Sequence, residues 1–113
     1  MKLYIAGPMT GIKDFNHPAF HATAAKLRAA GYQVASPTEN GLPKDAPWSD
    51  HMRADLPMLL ACDGVALMEG WEHSKGAQLE NHVARNCGIW SMSVGAWLGT
   101  ARAVKAGFAG VAV

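Results

Sequence analysis

A chain of 113 residues is long enough for one domain with a sizeable core and too short for two. Half of its residues are hydrophobic, its formal net charge is +1, and its ten Lys and Arg are scattered, which excludes a nucleic-acid surface. No apolar run approaches the roughly 20 residues of a membrane helix, and "MKLYIAGP" is broken by Gly-Pro too early for a signal peptide.

In chain order, "KLYIA" is a compact apolar run that predicts a buried strand over residues 2–6, ended by a turn at "GPMTG". Asn16 and Pro18 open a helix carrying Phe20, Ala24 and Leu27, which Gly31 closes. "YQVAS" is a second strand, ended by Pro37, and "PTENGLPKDAPWSD" reads as a long surface loop. Ser49 or Asp50 then caps a helix to about Cys62, with Pro57 predicting a kink or a restart near Asp55. "GVALME" is a third strand, "GWEHS" a loop, and "SKGAQLE" the start of the next helix. "IWSMSV" is a fourth strand, residues 96–106 form a last helix stopped by Gly107, and "GFAGVAV" reads as an edge strand or a dimer contact. Cys62 and Cys87 lack zinc spacing and read as small core residues of a cytoplasmic protein.

Alternating strands and helices indicate one α/β domain over residues 1–113. The expected architecture is a Rossmann-like or flavodoxin-like three-layer sandwich with a four- to five-stranded parallel sheet. In such a sheet ligands bind beyond the carboxyl ends of the strands. Attention therefore falls on "GPMTG" (Gly7, Pro8, Met9, Thr10, Gly11), "PTENG" and "GWEHSKG".

The helix after Ser74 carries an anomaly. At a 3.6-residue period, Gly76, Ala77, Leu79, Val83, Ala84 and Cys87 form one face with Glu80 in its middle. Gln78, Asn81, His82, Arg85 and Asn86 form the opposite face. A carboxylate at the centre of a small apolar stripe is either paired with an arginine or functional. Six residues before it, Ser74 and the free N–H groups of the first turn make an anion site to which Lys75 adds charge. At 1.5 Å per residue the two lie about 9 Å apart along the axis, near the separation of a 5′-phosphate from the anomeric carbon of a ribose. Asp55, in "MRADLP", is the second carboxylate, since glycosidic cleavage uses one as nucleophile and one as acid. Gly7 and Gly11 let the backbone approach a ligand and Thr10 offers a hydroxyl, although "GPMTG" matches neither GxGxxG nor the phosphate loop and also reads as a plain tight turn. Trp71 either stacks on a base or packs against the neighbouring helix. His17 and His21 are spaced for a metal but lack a third ligand, so no metal is expected. His51, His73 and His82 read as surface residues, His73 close enough to the anion site to assist there; Trp90 and Trp97 read as core or interface.

"YIAGPMTG", "RADLPMLLACDGVALM" and "SKGAQLENHVA" together resemble the nucleoside 2-deoxyribosyltransferase-like superfamily over about residues 3–90. Within it the chain is most similar to a branch of small, phage-associated DUF4406-type domains, and also to the deoxynucleoside 5′-monophosphate N-glycosidases. The resemblance implies that Glu80 is the nucleophile attacking C1′ and that Asp55 is the acid assisting departure of the base. It implies that Tyr4 is an aromatic residue beside the sugar and the glutamate. Members acting on free nucleosides have an aspartate at the position of Ser74, and monophosphate hydrolases a serine, which donates to a phosphate where an aspartate repels it. The substrate site implied is Gly7, Pro8, Met9, Thr10, Gly11, Trp71, Ser74, Lys75 and Gly76. Glu69 and Glu72, in the departing loop "MEGWEH", partly offset Lys75.

The expected function is hydrolysis of the N-glycosidic bond of (deoxy)nucleoside 5′-monophosphates, without cofactor or metal, by a homodimer or higher homo-oligomer. Two alternatives stay open: a transferase exchanging bases through the same intermediate, and a non-catalytic nucleotide-binding module.

Overall fold

The computed structural model describes residues 1–108. Four strands and four α-helices alternate: β1 (Lys2–Ala6), α1 (His17–Ala29), β2 (Gln33–Ala35), α2 (Trp48–Leu60), β3 (Gly64–Leu67), α3 (Lys75–Asn86), β4 (Trp90–Ser93) and α4 (Val94–Ala103). The strands form one parallel sheet in the order β2-β1-β3-β4. The chain leaves β1 toward β2 on one side and crosses back to β3 on the other, so the topological switch point lies between β1 and β3. Among the described residues the strand count is four, and most of "GFAGVAV", read as an edge strand or dimer contact, lies outside them.

The strand period of two divides the core. Leu3 and Ile5 of β1 join Phe20, Ala24 and Leu27 of α1 and Trp97 of α4 on one face. Tyr4 and Ala6 join Leu59 of α2 and Ala77 and Ala84 of α3 on the other. This makes three layers, with α2 and α3 covering the face to which Tyr4 points.

Several boundaries differ from the sequence reading. α2 begins at Trp48, not at a cap of Ser49 or Asp50; Pro47 is its N-cap, and the Pro47 carbonyl accepts from the N–H groups of Asp50 at 3.0 Å and His51 at 3.2 Å. It then continues through Pro57 as one helix instead of restarting near Asp55. Pro57 removes the bond to the Arg53 carbonyl, and both residues lie on the exposed side, where water can replace it. α4 starts at Val94 rather than 96, because Ser93, the last residue of β4, caps it by accepting from the Ala96 N–H at 3.0 Å. A wide π-type turn, Val104–Phe108, follows, with Gly107 in the left-handed region at φ 93°.

Two side chains change sides. Cys87 is exposed, whereas Cys62 is buried as expected. Asn81 is buried rather than on the wet face of α3, because β4 covers that flank; its Oδ1 accepts from Ser91 Oγ at 2.6 Å and Arg85 Nε at 3.3 Å. Trp97 is core, its Nε1 donating to the Val65 carbonyl at 2.8 Å, while Trp90 on β4 is 70% exposed. Among the described residues no helix is long and apolar enough to cross a membrane.

Candidate active site

A cleft of about 710 Å³ opens above the carboxyl ends of β1 and β3, where the switch point directs a ligand. Glu80 lines its floor and is held from below by Tyr4 of β1, which is itself fully buried. Strand alternation turns Tyr4 toward α3, and the small residues Ala77 and Ala84 let that helix lie close on the sheet. Glu80, between them, is 4% exposed and accepts a hydrogen bond from the Tyr4 hydroxyl. No arginine pairs with it; the only ion pairs among the described residues are Arg28–Glu39 and Lys44–Asp14. The carboxylate in the apolar stripe thus faces the cleft and is held by a phenol.

Asp55 reaches the same cleft from α2 and is likewise buried. Its Oδ1 accepts from Asn40 Nδ2 at 2.8 Å. Burial pushes Glu80 up to about 8; the Tyr4 hydrogen bond opposes that rise and the negative charge of Asp55 adds to it. Asp55 is also raised by burial, against the Asn40 hydrogen bond, which favours its ionised form. Tyr4 is pushed well above the usual tyrosine range by burial and by the two carboxylates. Two acids with raised proton affinity in one cleft can hold and pass a proton beside a reacting bond.

The third wall is the N-terminus of α3. Ser74 is its N-cap, with Oγ accepting from the Ala77 N–H at 3.2 Å. Capping uses an acceptor site of the hydroxyl and leaves its proton free to donate into the cleft. Lys75 and Gly76 continue this wall, and Lys75 Nζ sits 4.1 Å above the centre of the Trp48 ring. Glu69 and Glu72 do not line the cleft.

Glu80, Asp55, Gly7, Pro8, Met9, Thr10, Ser74, Lys75 and Gly76 line the cleft. Three expected residues do not, the first being Tyr4, which is fully buried. Gly11 lies outside the lining and serves the turn, at φ 82°. Trp71, at the start of the short 3-10 turn Trp71–His73, packs half-buried against the core cluster that includes Tyr4, Leu67 and Ala77. Gly7 lines the cleft, yet what demands a glycine is packing: a Cβ there would lie 2.8 Å from Met68 Cβ.

The aromatic residues that line the cleft are instead Phe15 and Trp48, the latter at the start of α2. Asn40, Lys44, His17, His51 and His73 also line the cleft, so His51 and His73 are site residues rather than plain surface. His73 lies in the segment after β3 that the sequence pointed to, whereas His51 stands in the first turns of α2, outside any such segment. His17 and His21 meet edge to face at 5.9 Å, and among the described residues no group of three His, Cys, Asp or Glu is placed to hold a metal ion.

The chain belongs to the family described as "Domain of unknown function (DUF4406)", whose model matches residues 1–106. Among solved structures it is similar to a 2-deoxyribosyltransferase from the psychrotolerant bacterium Bacillus psychrosaccharolyticus. The TM-score is 0.64 at 22% identity, over 82% of this chain and 71% of that one. At that identity the likeness establishes a shared fold. No curated protein matches the sequence.

Proposed function

We propose that this member of the DUF4406 family hydrolyses the N-glycosidic bond of (deoxy)nucleoside 5′-monophosphates, releasing free base and a sugar phosphate. One observation carries the reading: Glu80, buried in an apolar helix face without a cationic partner, opens into a cleft that also holds Asp55 and the capped tip of α3.

In this reading the phosphate is held by the Ser74 hydroxyl, the first N–H groups of α3 and Lys75. Six residues of helix then set the anomeric carbon beside Glu80. Ionised Glu80 attacks C1′ as the bond from C1′ to the base nitrogen breaks, and that nitrogen keeps the electron pair and takes a proton from Asp55. The Asp55 carboxylate next removes a proton from water. The water oxygen bonds to C1′, and the ester electrons return to Glu80. Tyr4, donating to Glu80, favours the charged form needed for attack. Carboxylates fill both roles, so no cofactor or metal is required.

The same intermediate serves a transferase if a second base replaces water, and the fold shared with a 2-deoxyribosyltransferase supports keeping that reading. One experiment separates the possibilities. The protein is incubated with a panel of nucleoside monophosphates and nucleosides, with and without a second free base, and products are resolved by chromatography. Hydrolysis predicts free base and sugar phosphate from monophosphates, abolished in Glu80→Ala while monophosphate binding persists. Base exchange without net hydrolysis selects the transferase. Wild-type inactivity on every substrate, with Glu80→Ala binding the monophosphate more tightly, selects a binding module.

A further inference from the structure

Asn40 ends the short 3-10 turn Pro37–Glu39 after β2, and its amide is committed on both sides. Its Oδ1 accepts from the Leu42 backbone N–H at 2.9 Å, and a backbone N–H can only donate, which fixes the orientation of the amide. Nδ2 therefore faces two partners, Asp55 Oδ1 at 2.8 Å and His51 Nδ1 at 3.0 Å. An amide NH2 has one proton for each. His51 Nδ1 must then be an acceptor, which puts the ring proton on Nε2, facing the Lys44 carbonyl at 3.3 Å. His51 and Asp55 stand four residues apart on α2, so one turn of helix presents both to a single amide.

We propose that Asn40 is a positioning residue for the acid of this site: its NH2 clamps Asp55 Oδ1 and His51 Nδ1 together and leaves Asp55 Oδ2 to carry the transferable proton. The inference rests on the reading of Asp55 as the acid. With Oδ1 held as an acceptor, the proton is excluded from that oxygen. Rotation of the carboxyl group would break the Asn40 bond, so Oδ2 keeps one direction. His51 braces the other amide proton and, through its Nε2–H, ties the loop carrying Lys44 to α2. A long loop thereby sets the orientation of a helix carboxylate, and His51 acts through Asn40 rather than on the substrate.

Asn40→Asp is the discriminating variant. It preserves an oxygen for the Leu42 N–H, so the turn is kept, but it replaces the NH2 by an acceptor that neither Asp55 nor unprotonated His51 Nδ1 can use. Asn40→Ala removes the donor without adding charge. Both are compared with wild type by kcat and KM for base release and by the imidazole 15N shifts of His51 at mildly alkaline pH, assigned with His51→Gln. The expected result is kcat lowered about 10- to 100-fold in both variants, the scale of a misplaced catalytic group, with KM changed less than about threefold. Wild-type His51 shows a proton on Nε2 alone, and Asn40→Asp moves a proton to Nδ1. A wild-type His51 protonated on Nδ1 overturns the clamp. The expected shifts with kcat within about twofold of wild type in both variants overturn the positioning role. Absence of base release in wild type defeats the proposed function instead, while the nitrogen shifts still test the clamp.

Discussion

Tyr4 in the first strand donates its hydroxyl to Glu80 in the third helix, a bond across 76 positions of sequence. It is the interaction that draws the Glu80 proton affinity back toward the ordinary carboxyl range, against burial and the charge of Asp55. Tyr4→Phe keeps the ring in the core and removes only the donor. The expected outcome is kcat/KM for base release lowered about 10- to 100-fold, the worth of a hydrogen bond to a charged group. The apparent ionisation of Glu80, followed by carboxyl 13C shifts, should move upward; a downward move would remove Tyr4 from its assigned part.

The proposed reaction needs one proton between Asp55 and Glu80. With Glu80 pushed up to about 8, that proton is lost as pH rises past this value, so kcat/KM should fall on an alkaline limb near 8. It should also fall in acid, where both carboxyls are protonated. A rate that keeps rising well above pH 8, measured with a monophosphate whose own ionisation is complete, would contradict the shared-proton assignment.

The same shift has a consequence for stability. Glu80 binds its proton more tightly in the folded chain than in the unfolded one. Between the ordinary carboxyl range and about 8 the folded state therefore holds more protons, and stability decreases as pH rises through that window and levels off above it. Glu80→Gln can still accept from Tyr4 and carries no charge. It should be more stable than wild type at pH 8 by about 2 kcal/mol or more, at about 1.4 kcal/mol per pKa unit, and nearly equal to it in acid. Thermal melts at the two pH values measure this directly. Such a cost is what a buried reactive carboxylate imposes on its fold.

Ser74 caps α3 and, in the proposed reaction, also donates to the phosphate, so Ser74→Ala removes both. Ser74→Asp is cleaner, because aspartate caps as well as serine does, leaving folding stability within about 0.5 kcal/mol. Its charge then faces the phosphate. Monophosphate binding should weaken at least about tenfold, with the ratio of nucleoside to monophosphate turnover rising, since like charges in contact disfavour binding. Equal monophosphate affinity in Ser74→Asp, by calorimetry, would move the phosphate away from the tip of α3.

Trp90 is 70% exposed on β4, the edge of the sheet among the described residues. An open edge with a large aromatic side chain favours association with a second copy. Light scattering at micromolar concentration should give a dimer or larger assembly, and Trp90→Lys should shift it toward monomer. A wild-type monomer would leave Trp90 without this role.

What the sequence determined is what depends on neighbours along the chain. Ser74 and Glu80 lie at the cap and in the second turn of one helix, so a 3.6-residue period and a fixed rise were enough to set the capped helix tip and a buried carboxylate a fixed distance apart. The apolar run of β1 and its Gly-Pro stop likewise marked the central strand, and the alternation of elements marked a parallel α/β sheet. The tertiary structure alone decided which elements share the cleft. Trp71 and Trp48 are both loop-end tryptophans in sequence, yet Trp71 packs half-buried against the core and the start of α2 presents Trp48 to Lys75. Asn81 was polar on a wheel and became buried because β4 covers that flank, and Cys87 was apolar on the same wheel and stayed wet. Asn40 lay in the segment after β2 that the sequence pointed to, but its pairing with His51 and Asp55 was not legible, since they lie 11 and 15 residues away on a packed helix. Periodicity reports the faces of one element; which neighbour covers a face is settled only when nonlocal contacts offset the entropy of bringing distant segments together.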